Sequence, residues 1–112
     1  MKKYVFFAFN GEIMCFNHVL INALEMNAKG TKAIIVLEGE AVKVIEELDK
    51  SDHPVYQRVK ELGLFDSVCK ACSIKMGVYD YNAACGIPFN DELNGHPSML
   101  KYINEGYEII TL

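Results

Sequence analysis

The sequence predicts an α/β fold of three α/β/α layers, with a mostly parallel sheet of about four to five strands. Three observations lead there. Tyr4 to Phe9 and Lys32 to Leu37 are apolar runs of strand length, as expected of strands buried on both faces. Such runs alternate with helix-like segments in the order β-α-β-α-α-β-α-α-β, which implies crossover connections. The chain has 112 residues, 51% of them hydrophobic, enough for one domain over residues 1–112 with a core that needs no staples.

The first strand, Tyr4 to Phe9, is broken by Asn10-Gly11. Glu12 to Ala28 then reads as a helix, with Ile13, Phe16, Leu20 and Leu24 along one stripe. Lys29-Gly30 closes it with a glycine suited to a C-terminal cap. Lys32 to Leu37 is the second strand, followed by Glu38-Gly39 and a short helix over Glu40 to Leu48. Pro54 suits the first turn of the next helix, and Gly63 ends it. Asp66 to Ala71 is the third strand. Ile74 to about Cys85 reads as a helix stopped by Gly86-Ile87-Pro88. Phe89 to Gly95 reads as a loop flanking a short strand. Pro97 opens a last helix to Asn104, and Tyr107 to Leu112 is the terminal strand.

Composition narrows the function. The formal charge is −4 and the basic residues are scattered. Nucleic-acid binding needs a basic stripe, which is missing, and an anionic membrane surface is disfavoured on the same ground. No segment approaches the ~18 apolar residues of a membrane helix. Met1-Lys2-Lys3 before an apolar run resembles a signal peptide, but the run is too short and lacks a small-residue cleavage site. A cytoplasmic location with reduced thiols is the expectation for Cys15, Cys69, Cys72 and Cys85. No dinucleotide fingerprint, Walker lysine or zinc-protease motif occurs.

Cys69-Lys70-Ala71-Cys72 is the most informative stretch, and three chemistries compete for it. A redox pair requires the two Cα atoms within ~7 Å. With Cys69 inside a strand the side chains point to opposite faces, so that reading fails unless the strand turns early. A zinc site requires four ligands. Cys85, His18 and His96 are available, but no recognised spacing joins them, so neither a metal nor an organic cofactor is expected. The third chemistry is a lone reactive Cys72 where a strand ends and a helix begins. There the helix dipole and free N–H groups favour a thiolate able to take up sulfur. Position alone leaves this reading level with a Cys72 that merely packs. Cys69 reads as core, and Cys85 as a possible second thiol.

Reactive groups in parallel sheets gather at the carboxyl ends of strands. The ends of the first and third strands are therefore expected to share a shallow pocket. Cys72 would sit in it, with Asn10, Gly11 and Glu12 as neighbours and Ser73 at the rim. His96, just before Pro97, is a modest candidate for the pocket edge.

The chain resembles the DsrE/DsrF-like (YchN-like) proteins over essentially its full length. The resemblance is carried by the opening strand, the helix from Glu12, Gly30, and the closing segment Met99 to Leu112. Most telling is Val68-Cys69-Lys70-Ala71-Cys72-Ser73, where Cys72 matches a cysteine that family members carry at the end of this strand. Cys69, Cys85 and Gly86-Ile87-Pro88 depart from the simpler pattern. The resemblance implies a three-layer fold and homo-oligomers: dimers, trimers or hexamers. Some members relay sulfur as persulfides and others have no established role. It thus implies a sulfur carrier or sulfurtransferase-like protein with the persulfide on Cys72, and sulfur donor and acceptor proteins as partners. The alternative is a non-catalytic binding or assembly module whose cysteines are structural. Tyr79, Tyr81, Met76 and Met99 are the expected oligomer contacts.

Overall fold

The structure is a computed structural model and describes residues 2–112. Five strands form one sheet: β1 (Lys3–Ala8), β2 (Lys32–Leu37), β3 (Phe65–Cys69), β4 (Phe89–Asn90) and β5 (Tyr107–Thr111). The order is β4-β3-β2-β1-β5 and every pairing is parallel. The helices are α1 (Ile13–Ala28), α2 (Val44–Lys50), α3 (Pro54–Glu61), α4 (Lys70–Lys75), α5 (Tyr79–Ala83) and α6 (Met99–Asn104). A 3-10 turn over Gly39–Lys43 precedes α2. The expected α/β/α layering is therefore the observed one.

Strands β1 to β4 step in one direction across the sheet. Right-handed crossovers then stack their connecting helices on one face. The last connection returns past three strands to β5, which puts α6 on the other face. Side-chain alternation divides the core accordingly. Phe6, Ala8, Ile35 and Leu37 join the large cluster that includes Phe16, Leu20 and Ile45. Val5, Phe7 and Val36 join a smaller one with Tyr102 of α6 and Tyr107.

Element boundaries differ from expectation where capping decides them. Glu12 is the N-cap of α1, its carboxylate accepting from the Met14 N–H at 3.1 Å. His53 caps α3 through Nδ1, which accepts from the Tyr56 N–H at 3.2 Å. The single helix expected from Ile74 to Cys85 is two short ones. Gly77, at φ 75°, separates α4 from α5. The largest correction concerns the third strand, which stops at Cys69 instead of Ala71. Cys69 is the N-cap of α4, and its sulfur accepts from the Cys72 N–H at 3.3 Å. The strand does turn early, so the two thiols share one end of a helix instead of opposite faces of a strand.

Candidate functional site

Three chain segments build a cluster at the carboxyl ends of β2 and β3. Cys69 and Cys72 come from the β3–α4 junction. Glu38 follows β2 directly, its backbone N–H donating to the Ala8 carbonyl at 2.9 Å. His96 comes from the segment after β4. One ligand atom from each of Glu38, Cys69, Cys72 and His96 lies within 4.8 Å of every other. Nδ1 of His96 is 3.2 Å from the Cys69 sulfur, 3.6 Å from the Cys72 sulfur and 3.9 Å from a Glu38 carboxylate oxygen.

His96 is held there by a tight hairpin. Leu93 and His96 exchange backbone hydrogen bonds of 2.7 and 2.8 Å around Asn94-Gly95. Both central residues have positive φ, 50° and 89°, which is the Asn-Gly pattern of a two-residue type I′ turn. The turn is docked on the helix start, because the Ala71 N–H donates to the Gly95 carbonyl at 2.9 Å. A Cβ at Gly95 would stand 3.1 Å from the Ala71 Cβ.

Burial grades the cluster from inside to outside. Cys69 and Glu38 are buried, Cys72 is half-buried and His96 is exposed. Burial pushes the Cys69 thiol up to about 12, reinforced by the neighbouring Cys72 side chain and partly offset by the Cys72 N–H that donates to its sulfur. Loss of hydration also raises the Glu38 carboxyl above the usual carboxylate range, partly countered by His96. Behind the cysteines, the Ser73 hydroxyl donates to the Cys69 carbonyl at 2.8 Å. The Asn82 amide in turn donates to the Ser73 hydroxyl and to the Val42 carbonyl, both at 3.0 Å. This buried network ties α4 to α5 and to the 3-10 turn.

The other expected site residues fall elsewhere. Ser73 is fully buried and braces the cysteines from below; it does not stand at a rim. Strand β2 separates β1 from β3, so the Glu38 end of β2, and not the Asn10-Gly11-Glu12 loop, meets the cysteines. Asn10 lines a different hollow of about 270 Å³ with Cys15, His18 and Leu112. Gly11 abuts Glu40, where a Cβ would come within 2.6 Å of the carbonyl oxygen. Glu12 is committed to capping α1. Just after β1 it is Phe9 that joins Glu38 and His96, in a groove of about 690 Å³ that also includes Leu93, Met99 and Leu100. Cys85 is not among the four clustered groups; its sulfur accepts from the Ile87 N–H at 3.4 Å. Glu38 was visible in the sequence only as a strand end. The Asn94-Gly95 pair is the sequence signal for the hairpin that delivers His96.

Comparison with known proteins bears on what such a cluster is for. The model of the DsrE/DsrF-like family matches residues 3–112. The chain belongs to the DsrE/DsrF-like family. An uncharacterized protein of the archaeon Methanocaldococcus jannaschii is 34% identical over 95 residues, which cover 85% of this chain and 78% of that one. No solved structure matches. No helix among the described residues is long and apolar enough to cross a membrane.

Proposed function

We propose that this DsrE/DsrF-like protein is a sulfur carrier that holds a persulfide on Cys72. The observation behind it is the graded cysteine pair. Cys72 is half-buried, with the His96 imidazole 3.6 Å from its sulfur. Cys69 is sealed behind it and hydrogen-bonded to the Cys72 N–H.

The chemistry is thiol–persulfide exchange. The Cys72 thiolate attacks the terminal sulfur of a donor persulfide. The donor's S–S bond breaks, the donor leaves as a thiolate, and Cys72 becomes a persulfide with no net change in electrons. Nδ1 of His96 is in place to accept the Cys72 proton before attack. Cys69 has the opposite duty. With its thiol pushed up to about 12, it stays protonated near neutral pH and does not attack the Cys72 persulfide to form a disulfide. Sulfur therefore remains for an acceptor protein. Free thiols with this task belong in a reducing cytoplasm.

The test is incubation with a persulfide donor followed by intact-mass measurement. The expected result is one added sulfur atom on the wild type and none on Cys72→Ser. An adduct that survives that substitution rejects the assignment.

A self-associating assembly is part of the same reading. The residues expected at the interface are largely engaged within the chain: Tyr81 donates to Asp49 at 2.9 Å, and Tyr79 stacks on Phe89. The face carrying α6 offers Leu100 and Ile103 one turn apart, exposed by 63% and 54%. That side of the sheet has a single six-residue helix for cover. A homo-oligomer burying this face is expected in light scattering at micromolar concentration, and a monomer there contradicts it.

A further inference from the structure

We propose that Glu38, Cys69, Cys72 and His96 form a binding site for one zinc ion. This reading does not depend on sulfur transfer.

The geometry is the first support. Zinc bound tetrahedrally holds S and N/O donors at ~2.0–2.3 Å, which places neighbouring donors ~3.3–3.8 Å apart. The spacings to His96 Nδ1 are 3.2 Å from Cys69, 3.6 Å from Cys72 and 3.9 Å from Glu38. All six donor pairs lie within 4.8 Å. The side chains of Cys72, half-buried, and His96, exposed, leave room for small rotations that close the set onto an ion.

Donor chemistry is the second support. Two thiolates and an imidazole suit zinc among the common divalent ions, and a carboxylate oxygen is an accepted fourth ligand. Hard cations such as magnesium and calcium want oxygen shells that this site does not have. The third support is electrostatic. Without a cation, the Glu38 carboxyl and the Cys69 thiol are buried close together with no charged partner at their centre. A divalent ion at their centre relieves both. On binding, each protonated thiol releases its proton to solvent, so affinity rises with pH. The supporting framework is also present: the hairpin fixes His96 and the Ser73–Asn82 network fixes the turn that carries both cysteines.

With four protein ligands the site is closed. Zinc then takes Cys72 out of thiol chemistry, and metal occupancy and sulfur loading exclude each other.

The test uses the intact chain, stripped with a chelator and titrated with Co²⁺ as a spectroscopic stand-in, then with Zn²⁺. One equivalent of Co²⁺ is expected to give a sulfur-to-cobalt charge-transfer band and the intense visible bands of a tetrahedral ion. One equivalent of Zn²⁺ is expected to bleach them. Cys72→Ser and His96→Gln, at accessible positions that leave the core intact, are each expected to weaken Zn²⁺ binding at least about tenfold. That is the low end of what losing even an outer-shell partner costs. An octahedral cobalt spectrum without the charge-transfer band overturns the site, as does zinc affinity unchanged in either variant. Persulfide loading of the metal-free protein is measured separately. Failure there with tetrahedral cobalt binding intact rejects the sulfur-carrier reading and leaves the zinc site standing.

Discussion

The Cys69 sulfur lies 3.2 Å from Nδ1 of His96, although 27 positions separate them in the chain. Cys69 ends a strand and caps the next helix, while His96 leaves a hairpin that rests on the first turn of that helix. The contact makes the two cysteines unequal. Cys69 faces its histidine from inside the core, whereas Cys72 meets the same nitrogen from the solvent side.

This inequality predicts the order of alkylation. Iodoacetamide, followed residue by residue by peptide mass mapping, is expected to label Cys72 well before Cys69 at neutral pH in metal-free protein. Cys69 has no solvent path and its thiol is pushed up to about 12, so it offers very little thiolate to react. Equal rates for the two sulfurs contradict the graded arrangement.

The hairpin predicts a backbone effect. Gly95→Ala forces a side chain onto φ 89° and brings its Cβ to 3.1 Å from that of Ala71. The left-handed conformation alone costs about 1–2 kcal/mol for a non-glycine residue. The expected outcome is a lower urea midpoint with the slope unchanged, together with loss of the His96 contribution to Cys72 reactivity. Retained stability and a retained pH–rate profile for Cys72 would show that the turn is not what holds His96.

The buried network under the cysteines predicts a larger loss. Asn82→Ala leaves the Val42 carbonyl and the Ser73 hydroxyl without their donor and opens a void. Stranding buried polar groups costs about 1–3 kcal/mol. Thermal unfolding is expected to move down accordingly, and Ser73→Ala is expected to cost less because Asn82 keeps Val42. An Asn82→Ala protein as stable as wild type would mean that the network contributes nothing.

Much of this arrangement is legible in sequence, and the part that is not has physical reasons. The apolar runs Tyr4–Phe9 and Lys32–Leu37 mark β1, which ends one residue earlier at Ala8, and β2, because buried parallel strands need no polar alternation. The end of β3 was harder. Lys70-Ala71-Cys72 contains no glycine or proline to mark a stop, and cysteine is outside the usual Ser, Thr, Asp and Asn capping set. A strand running on to Ala71 would put the thiols on opposite faces, whereas the turn at Cys69 brings both to one helix end. Strand order was the second gap. Alternating strands and helices fit several orders, and only the one with β2 between β1 and β3 puts Glu38 beside Cys69 in place of the Asn10 loop. Asn94-Gly95 was readable as a hairpin signal, but nothing in the local sequence says that the hairpin lands on α4.

The face opposite the cysteine helices predicts how stability falls in alkali. The Tyr102 hydroxyl sits among Asp66, Ser67 and Asn90, donating to the Asp66 carboxylate and accepting from the Asn90 amide at 3.1 Å. Burial raises its pKa above the usual 10.0, and the hydrogen bond to Asp66 raises it further. The folded protein thus keeps the phenol proton at a pH where the unfolded chain has released it. The unfolded state then binds fewer protons, so stability falls as pH rises. Below the ordinary tyrosine range the contribution of Tyr102 is fully present and does not vary with pH. Above it, the loss approaches about 1.4 kcal/mol per pH unit for this one group. Tyr102→Phe is expected to lower stability at neutral pH by removing the hydrogen bonds. It is also expected to flatten the decline between pH ~9.5 and ~11 in urea titrations, since no phenol remains at that position to titrate. The residual slope belongs to other groups, Tyr56 among them, whose pKa is raised chiefly by burial. Parallel wild-type and Tyr102→Phe curves across that range would show that the Tyr102 proton is not linked to folding.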